Sequence, residues 1–325
     1  FGSSRIAGSS EVSSRLRSLL AATLLRASRL VKMHSDEDNP CKEYDYRPAV
    51  DASRAAASRA AAGQDQPAML SKLKVVLDRF EITIAEANDL VVLQDYEIVV
   101  VCDDSGSMLN NSLPPEQRTL GAPVRTRWDE LKQTVAEMVE IATCFSEDGI
   151  DVHFLNRESV LRVKHATDQS FVQAFEKPPR GRTPLTETLE RVALQLPGER
   201  KVLLFIFTDG EPNEGPEPFK EGLRRLIRRM KIRVQIMACT ADEDEVEWLN
   251  HFDSELKEVD VTDDYYSERK EVMRARRAPK FTRGDWCMKA MLGPVSHKFD
   301  AWDESSMIEA KVAVPGGQCG ECALM

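Results

Sequence analysis

The chain predicts a Rossmann-like, doubly wound α/β fold, with a mostly parallel open sheet and helices on both faces. Three observations predict it. Short apolar runs alternate with amphipathic stretches from about residue 69 to about 275. One run, KVLLFIF at 201–207, is apolar almost without a break, as expected of a central parallel strand covered on both faces. Three segments bring oxygen-bearing side chains to the edge outside the strands' carboxyl ends, where such sheets bind ligands.

Residues 97–102 read as a buried strand. Trp128, Leu131, Val135, Met138, Ala142 and Phe145 step by three and four, giving one face of a long helix. IDVHFL (150–155) and SVLRVK (159–164), joined by Asn156, Arg157 and Glu158, read as a hairpin. Helices follow at about 167–176 and 184–196, then the central strand 201–207. The segment 217–230 is helical, with Phe219, Leu223, Leu226, Ile227 and Met230 inward. IRVQIMA (232–238) is a strand, 242–252 a helix, and KEVDV (257–261) a last short strand. One domain, 69–275, accounts for all of these.

Two extensions flank it. Residues 1–68 read as a mostly disordered leader, Ala-rich near its end. Its first 32 residues carry five Arg, one Lys and one Glu among Ser, Leu and Ala. That is the composition of an organelle transit peptide, or of translated sequence ahead of a start at Met33; both readings stay open. Residues 276–325 look less regular, though FTRGDWCMKAMLGPVSHKFDAWDE has enough aromatics and Met to dock on the domain or on a partner.

A net charge of -10 argues against a general nucleic-acid binder. No apolar run approaches the roughly 18 residues of a membrane span. Seven scattered cysteines, with Cys102, Cys144 and Cys239 in apolar surroundings, point to reduced core thiols and an intracellular, reducing compartment.

The chemistry concentrates in VVVCDDSGSM (99–108). Asp103, Ser105 and Ser107 stand at i, i+2 and i+4 after a strand, so a looped chain can turn all three toward one point. Thr183 lies in GRTPLTETL, before a helix opened by Pro184, and Asp209 ends the central strand in FIFTDGEPNEG. Two carboxylates and three hydroxyls, without thiolate or imidazole, suit Mg²⁺ or Mn²⁺ rather than Zn²⁺. Such a metal stays electron-poor and can accept one more anionic oxygen.

D-x-S-x-S at 103–107, the Thr of G-x-T-P at 181–184 and the Asp of T-D-G at 208–210 resemble the metal-ion-dependent adhesion site of the von Willebrand factor A domain family. The resemblance runs from roughly residue 95 to 275 in the family's order and spacing. YEIVVVCDDSGSM, RTRWDELK and EDGIDVHFLN look closest to intracellular single-A-domain proteins of lower eukaryotes. The resemblance implies the von Willebrand A fold, core ligation by Asp103, Ser105 and Ser107, and direct or water-mediated contact from Thr183 and Asp209. It implies Mg²⁺-dependent capture of a partner protein's Asp or Glu, without catalysis. Arg182 departs from the family, where many relatives have a small residue before the Thr; a cation there would favour an acidic ligand or crowd it.

Other readings compete. DDSGSM alone could be a turn with a helix cap. A Mg²⁺-dependent phosphohydrolase would need D-x-D, and Ser105 occupies its second position. A metal-independent scaffold would bind instead through the basic helix or the 281–302 segment. No G-x-S-x-G, H-E-x-x-H or G-x-x-x-x-G-K-S/T is present. Lys220, Arg224, Arg225, Arg228, Arg229 and Lys231 form a basic face, read chiefly as solvated. Asp242–Glu245 reads as a helix cap, and Arg283-Gly284-Asp285 as an adhesion tripeptide by chance. Cys322-Ala323-Leu324-Met325 fits C-a-a-X of the farnesyl form, and Cys319 could carry a second lipid, tethering the protein peripherally to a membrane. A redox or half-zinc Cys319-x-x-Cys322 is the competing reading. The expected location is cytoplasmic, with or without that tether; organelle import stays open. Oligomeric state is not legible.

Overall fold

A computed structural model describes residues 66–302, apart from 114–117, 119, 122, 147, 197, 199, 250 and 251. The leader up to residue 65, and Cys319 and Cys322, lie outside the described residues.

The chain enters through α1 (Gln66–Phe80), so the helix takes in the last three residues assigned to the leader. Leu73, Val76, Leu77 and Phe80, on one helical face, are all buried. Next come α2 (Ile84–Asp89), opened by a Thr83/Glu86 capping box, and a 3₁₀ turn, Leu90–Asp95. Strand β1 (Tyr96–Cys102) follows, then α3 (Arg127–Ala142). The hairpin β2 (Ile150–Phe154) and β3 (Val160–Val163) forms as the short link between the two runs predicts and pairs antiparallel. Then come α4 (Gln169–Glu176), α5 (Leu185–Ala193), β4 (Lys201–Thr208), α6 (Pro216–Arg229) and β5 (Ile232–Ala238).

The helix expected over 242–252 is broken. It becomes α7 (Glu243–Val246), a 3₁₀ turn at Glu247–Leu249, and α8 (Phe252–Glu255). Across the break Trp248 and Phe252 meet edge to face, both against Phe219. Strand β6 (Val259–Thr262) is followed by α9 (Tyr265–Arg276), α10 (Arg283–Leu292) and α11 (His297–Asp300).

Six strands form one sheet in the order β3-β2-β1-β4-β5-β6, all parallel except the β3 edge. This is the doubly wound α/β fold. Alternate residues divide between two cores: Ile98, Val100, Cys102, Leu203, Phe205 and Phe207 face the side of α1, α3, α4 and α10. Val99, Val101, Val202, Leu204 and Ile206 face α5, α6 and α8.

The segment beyond 275 docks on the domain. Gly284, Trp286, Cys287, Met288, Lys289, Ala290, Met291 and Leu292 are all buried in α10, and the packing continues to Trp302. The adhesion-like tripeptide is structural. Arg283 ion-pairs with Glu130 and Glu137, Asp285 completes a capping box with Thr282, and Gly284 lies so close to the Phe80 carbonyl that a Cβ would sit 1.8 Å from it. Among the described residues no helix is long and apolar enough to cross a membrane.

Candidate metal centre

Strand β1 leads through α3 toward β2 on one side, while β4 leads through α6 toward β5 on the other. The chain's winding direction therefore reverses between β1 and β4, and a crevice opens outside their carboxyl ends. Asp103 directly follows β1 and Asp209 directly follows β4. The ladder extends past the strands here, with the Asp103 N–H donating to the Phe207 carbonyl at 2.9 Å.

The loop after β1 folds on itself. Asp103 Oδ1 accepts the Ser105 N–H at 2.8 Å, and a 3₁₀ turn (Gly106–Leu109) buries Met108 beneath it. Asp103 Oδ2 accepts the Thr208 hydroxyl at 2.9 Å. The Ser105 and Ser107 hydroxyl oxygens are 3.0 Å apart, and Ser107 donates to Asp209 Oδ1 at 2.8 Å. Four of the five residues expected to hold a metal thus form one hydrogen-bonded chain.

Thr183 is brought alongside by its backbone. The Gly106 N–H donates to the Gly181 carbonyl at 3.2 Å, and Thr183 exchanges bonds with Asn213 through its N–H (3.1 Å) and carbonyl (3.0 Å). Its hydroxyl has no hydrogen bond to the other four among the described residues, and the side chain is partly exposed. Gly181 carries φ 111°, and a Cβ there would lie 2.6 Å from Asn156 Oδ1, so only glycine fits. Arg182 is exposed, its carbonyl bonded by the Asn156 amide at 2.8 Å.

Three partners were not foreseen. Asp104, 1% exposed, accepts the Asn156 N–H at 2.7 Å and Arg157 Nε at 2.6 Å, locking the loop to the hairpin link. Arg127, at the first turn of α3, donates to Asp209 Oδ2 at 2.9 Å and to Glu245 Oε2 at 2.5 Å. Glu245 also accepts the Thr240 hydroxyl. The signal for Arg127 was present: it lies four residues before Leu131, in phase with the buried stripe, so its charge needed an acid. The expected Asp242 cap is observed, bonding the Asp244 N–H. The basic face of α6 is partly neutralised, with Lys220 and Arg224 on Glu255 and Arg225 on Glu190.

Asp103 and Asp209 are 0% and 1% exposed. Burial, and then the Asp209 carboxylate, push the Asp103 carboxyl up to about 7, against its bonds to Ser105 and Thr208. Arg127 offsets one of these two buried charges, and a further cation would offset the other. Among the described residues no three His, Cys, Asp or Glu side chains are grouped to hold a metal. The donors here are two carboxylates with hydroxyls, and that set fits a hard, oxygen-preferring divalent cation.

No family model and no curated protein matches the chain. Solved structures give distant likenesses. Proximal thread matrix protein 1 from the mussel byssus is 16% identical over 54% of this chain and 45% of its own, with a TM-score of 0.34. Manganese-loaded TRAP protein of Plasmodium vivax is 15% identical over 54% and 71%, TM-score 0.33. A point mutant of the PilB minor pilin from Streptococcus sanguinis is 11% identical over 64% and 62%, TM-score 0.41. The chain spans under half of the mussel protein, and the fold described above rests on the sheet's own topology.

Proposed function

We propose that the crevice between β1 and β4 is a divalent-cation site, for Mg²⁺ or Mn²⁺, through which the protein captures an acidic side chain of a partner. The observation that carries this reading is the hydrogen-bonded chain Asp103–Ser105–Ser107–Asp209, which sets two buried carboxylates and two hydroxyls at the switch point of the sheet. It is a module of the von Willebrand A kind in this reading, and it performs no catalysis of its own.

Asp103, Ser105 and Ser107 would hold the cation directly, with Thr183 and Asp209 completing its surroundings. When bound, the cation supplies an electron-poor position for a carboxylate oxygen. The chain's own residues orient and exclude. Thr208 and the Ser105 N–H fix both oxygens of Asp103, Arg127 fixes one oxygen of Asp209, and Asp104 with Arg157 holds the loop's shape. The partly exposed faces of Ser107 and Thr183 leave the approach open to a protein side chain.

The test passes a library of Asp/Glu peptides, and its Asn/Gln counterpart, over the immobilised full chain in Mg²⁺ and in EDTA. Retention of carboxylate peptides only, in Mg²⁺ only, and lost in Asp103→Ala is expected. Equal retention in EDTA would contradict it and favour a metal-independent scaffold.

A further inference from the structure

Arg127 is 6% exposed, and its two terminal nitrogens hold two different acids. One is Asp209 Oδ2, in the centre of the crevice; the other is Glu245, partly exposed on α7. Its Nε–H is buried with no hydrogen-bond partner among the described residues. The guanidinium is positioned by the two carboxylates. Asp209 therefore offers the crevice one oxygen, Oδ1, already turned to Ser107. Asp104 adds no net charge, because Arg157 pairs with it. Among the charges around a cation here are Asp103 and Asp209, opposed by Arg127, which Glu245 and the buried Asp264 in turn partly offset.

We propose that Arg127 sets the strength of the cation site: it is a fixed counter-charge that holds the chain's own affinity low, and Glu245 moderates it. The proposal rests on the cation reading above and deepens it. A site weakened in this way fills best when a partner carboxylate completes the charge, so cation and acidic partner bind as a mutually dependent pair. Arg127 is a positioning and tuning residue and not itself a ligand.

The two acids make the proposal testable by sign. Removing the arginine's charge leaves the crevice more negative and tightens cation binding; removing the Glu245 charge frees more of the arginine's field and loosens it. Damage to the fold would loosen both. The experiment titrates Mn²⁺ into the full chain at mildly alkaline pH, following free Mn²⁺ by its paramagnetic resonance, for wild type, Arg127→Gln, Arg127→Lys and Glu245→Gln. Cooperative melting in EDTA checks that each is folded.

Arg127→Gln should tighten Mn²⁺ binding on the order of tenfold, Glu245→Gln should loosen it several-fold, and Arg127→Lys should stay near wild type. Should Arg127→Gln fail to fold, Arg127→Met takes its place with the same expected tightening, so the opposite signs are still compared. Measurable wild-type binding with Arg127→Gln weaker or unchanged would overturn this inference and leave the cation reading standing. Glu245→Gln binding as tightly as wild type or tighter would also overturn it. No Mn²⁺ uptake by any of the four would overturn both.

Discussion

The two aspartates of DDSGSM divide the labour between chemistry and architecture. The i, i+2, i+4 spacing selects Asp103 from sequence alone, because it needs only local geometry. Asp104 is silent in the sequence, since its partners lie 52 and 53 residues away. Arg157 spends its other nitrogens on the carbonyls of Ala174, Lys177 and Pro178 and stacks 4.8 Å over Trp128. Arg157→Ala would strand a buried carboxylate and should cost about 3–5 kcal/mol in urea unfolding. A loss under about 1 kcal/mol would show that the pair does not hold the loop. Thr208→Val removes a buried hydroxyl from Asp103 Oδ2 and should cost about 1–3 kcal/mol by the same measurement, with little change in the far-ultraviolet spectrum. Arg127 shows the same limit of legibility: its phase on α3 is visible in the sequence, but its acids are 82 and 118 residues away.

Among the elements, most with a clean period were legible, though α1, whose Leu73, Val76, Leu77 and Phe80 share one face, went unread. Strands β1 and β4 read as continuous apolar runs, and the β2–β3 hairpin as two short runs joined by a three-residue link. Helix α10 escaped because it is buried all round: a helix without a polar face shows no 3.6-residue contrast to detect. The 242–255 stretch misled in the opposite way. Its acids suit a helix start, yet the helix breaks at Glu247–Leu249, and Trp248, Leu249 and Phe252 all pack on the core. Helix α10 belongs to the core and is not an appendage. Trp286, 4% exposed and bonded through Nε1 to the Asp263 carbonyl, should cost about 3–5 kcal/mol when changed to Ala. Thermal or urea unfolding checks this, and a cost under about 1 kcal/mol would make α10 an accessory.

For the whole molecule, the buried acids set how stability follows pH. Burial raises the Asp260 carboxyl from 3.8 to about 7; Lys289 and the Gln235 hydrogen bond oppose that rise, while Asp300 adds to it. The folded state thus holds a proton that the unfolded chain has released, so stability is greatest below about 3.8 for this group and is lost as pH rises to about 7. In EDTA, the melting temperature of Asp260→Asn should fall less between these two pH values than that of the wild type. Parallel curves would contradict the assignment.

The doubly wound order carries Asp103 and Asp209 to one crevice from sequence positions more than a hundred residues apart, and the claim that this crevice holds a cation is the centre of the account. The most direct measurement is the melting temperature of the full chain in EDTA and across a Mg²⁺ and Mn²⁺ series, beside Asp103→Ala and Asp209→Ala. A cation at about 100 times its dissociation constant adds roughly 2.7 kcal/mol to the folded state. The expected result is a rise in the wild type that grows with cation concentration and that both variants lose. A wild-type curve that rises equally in both variants, or that stays flat even when an acidic peptide is added with the cation, would contradict it.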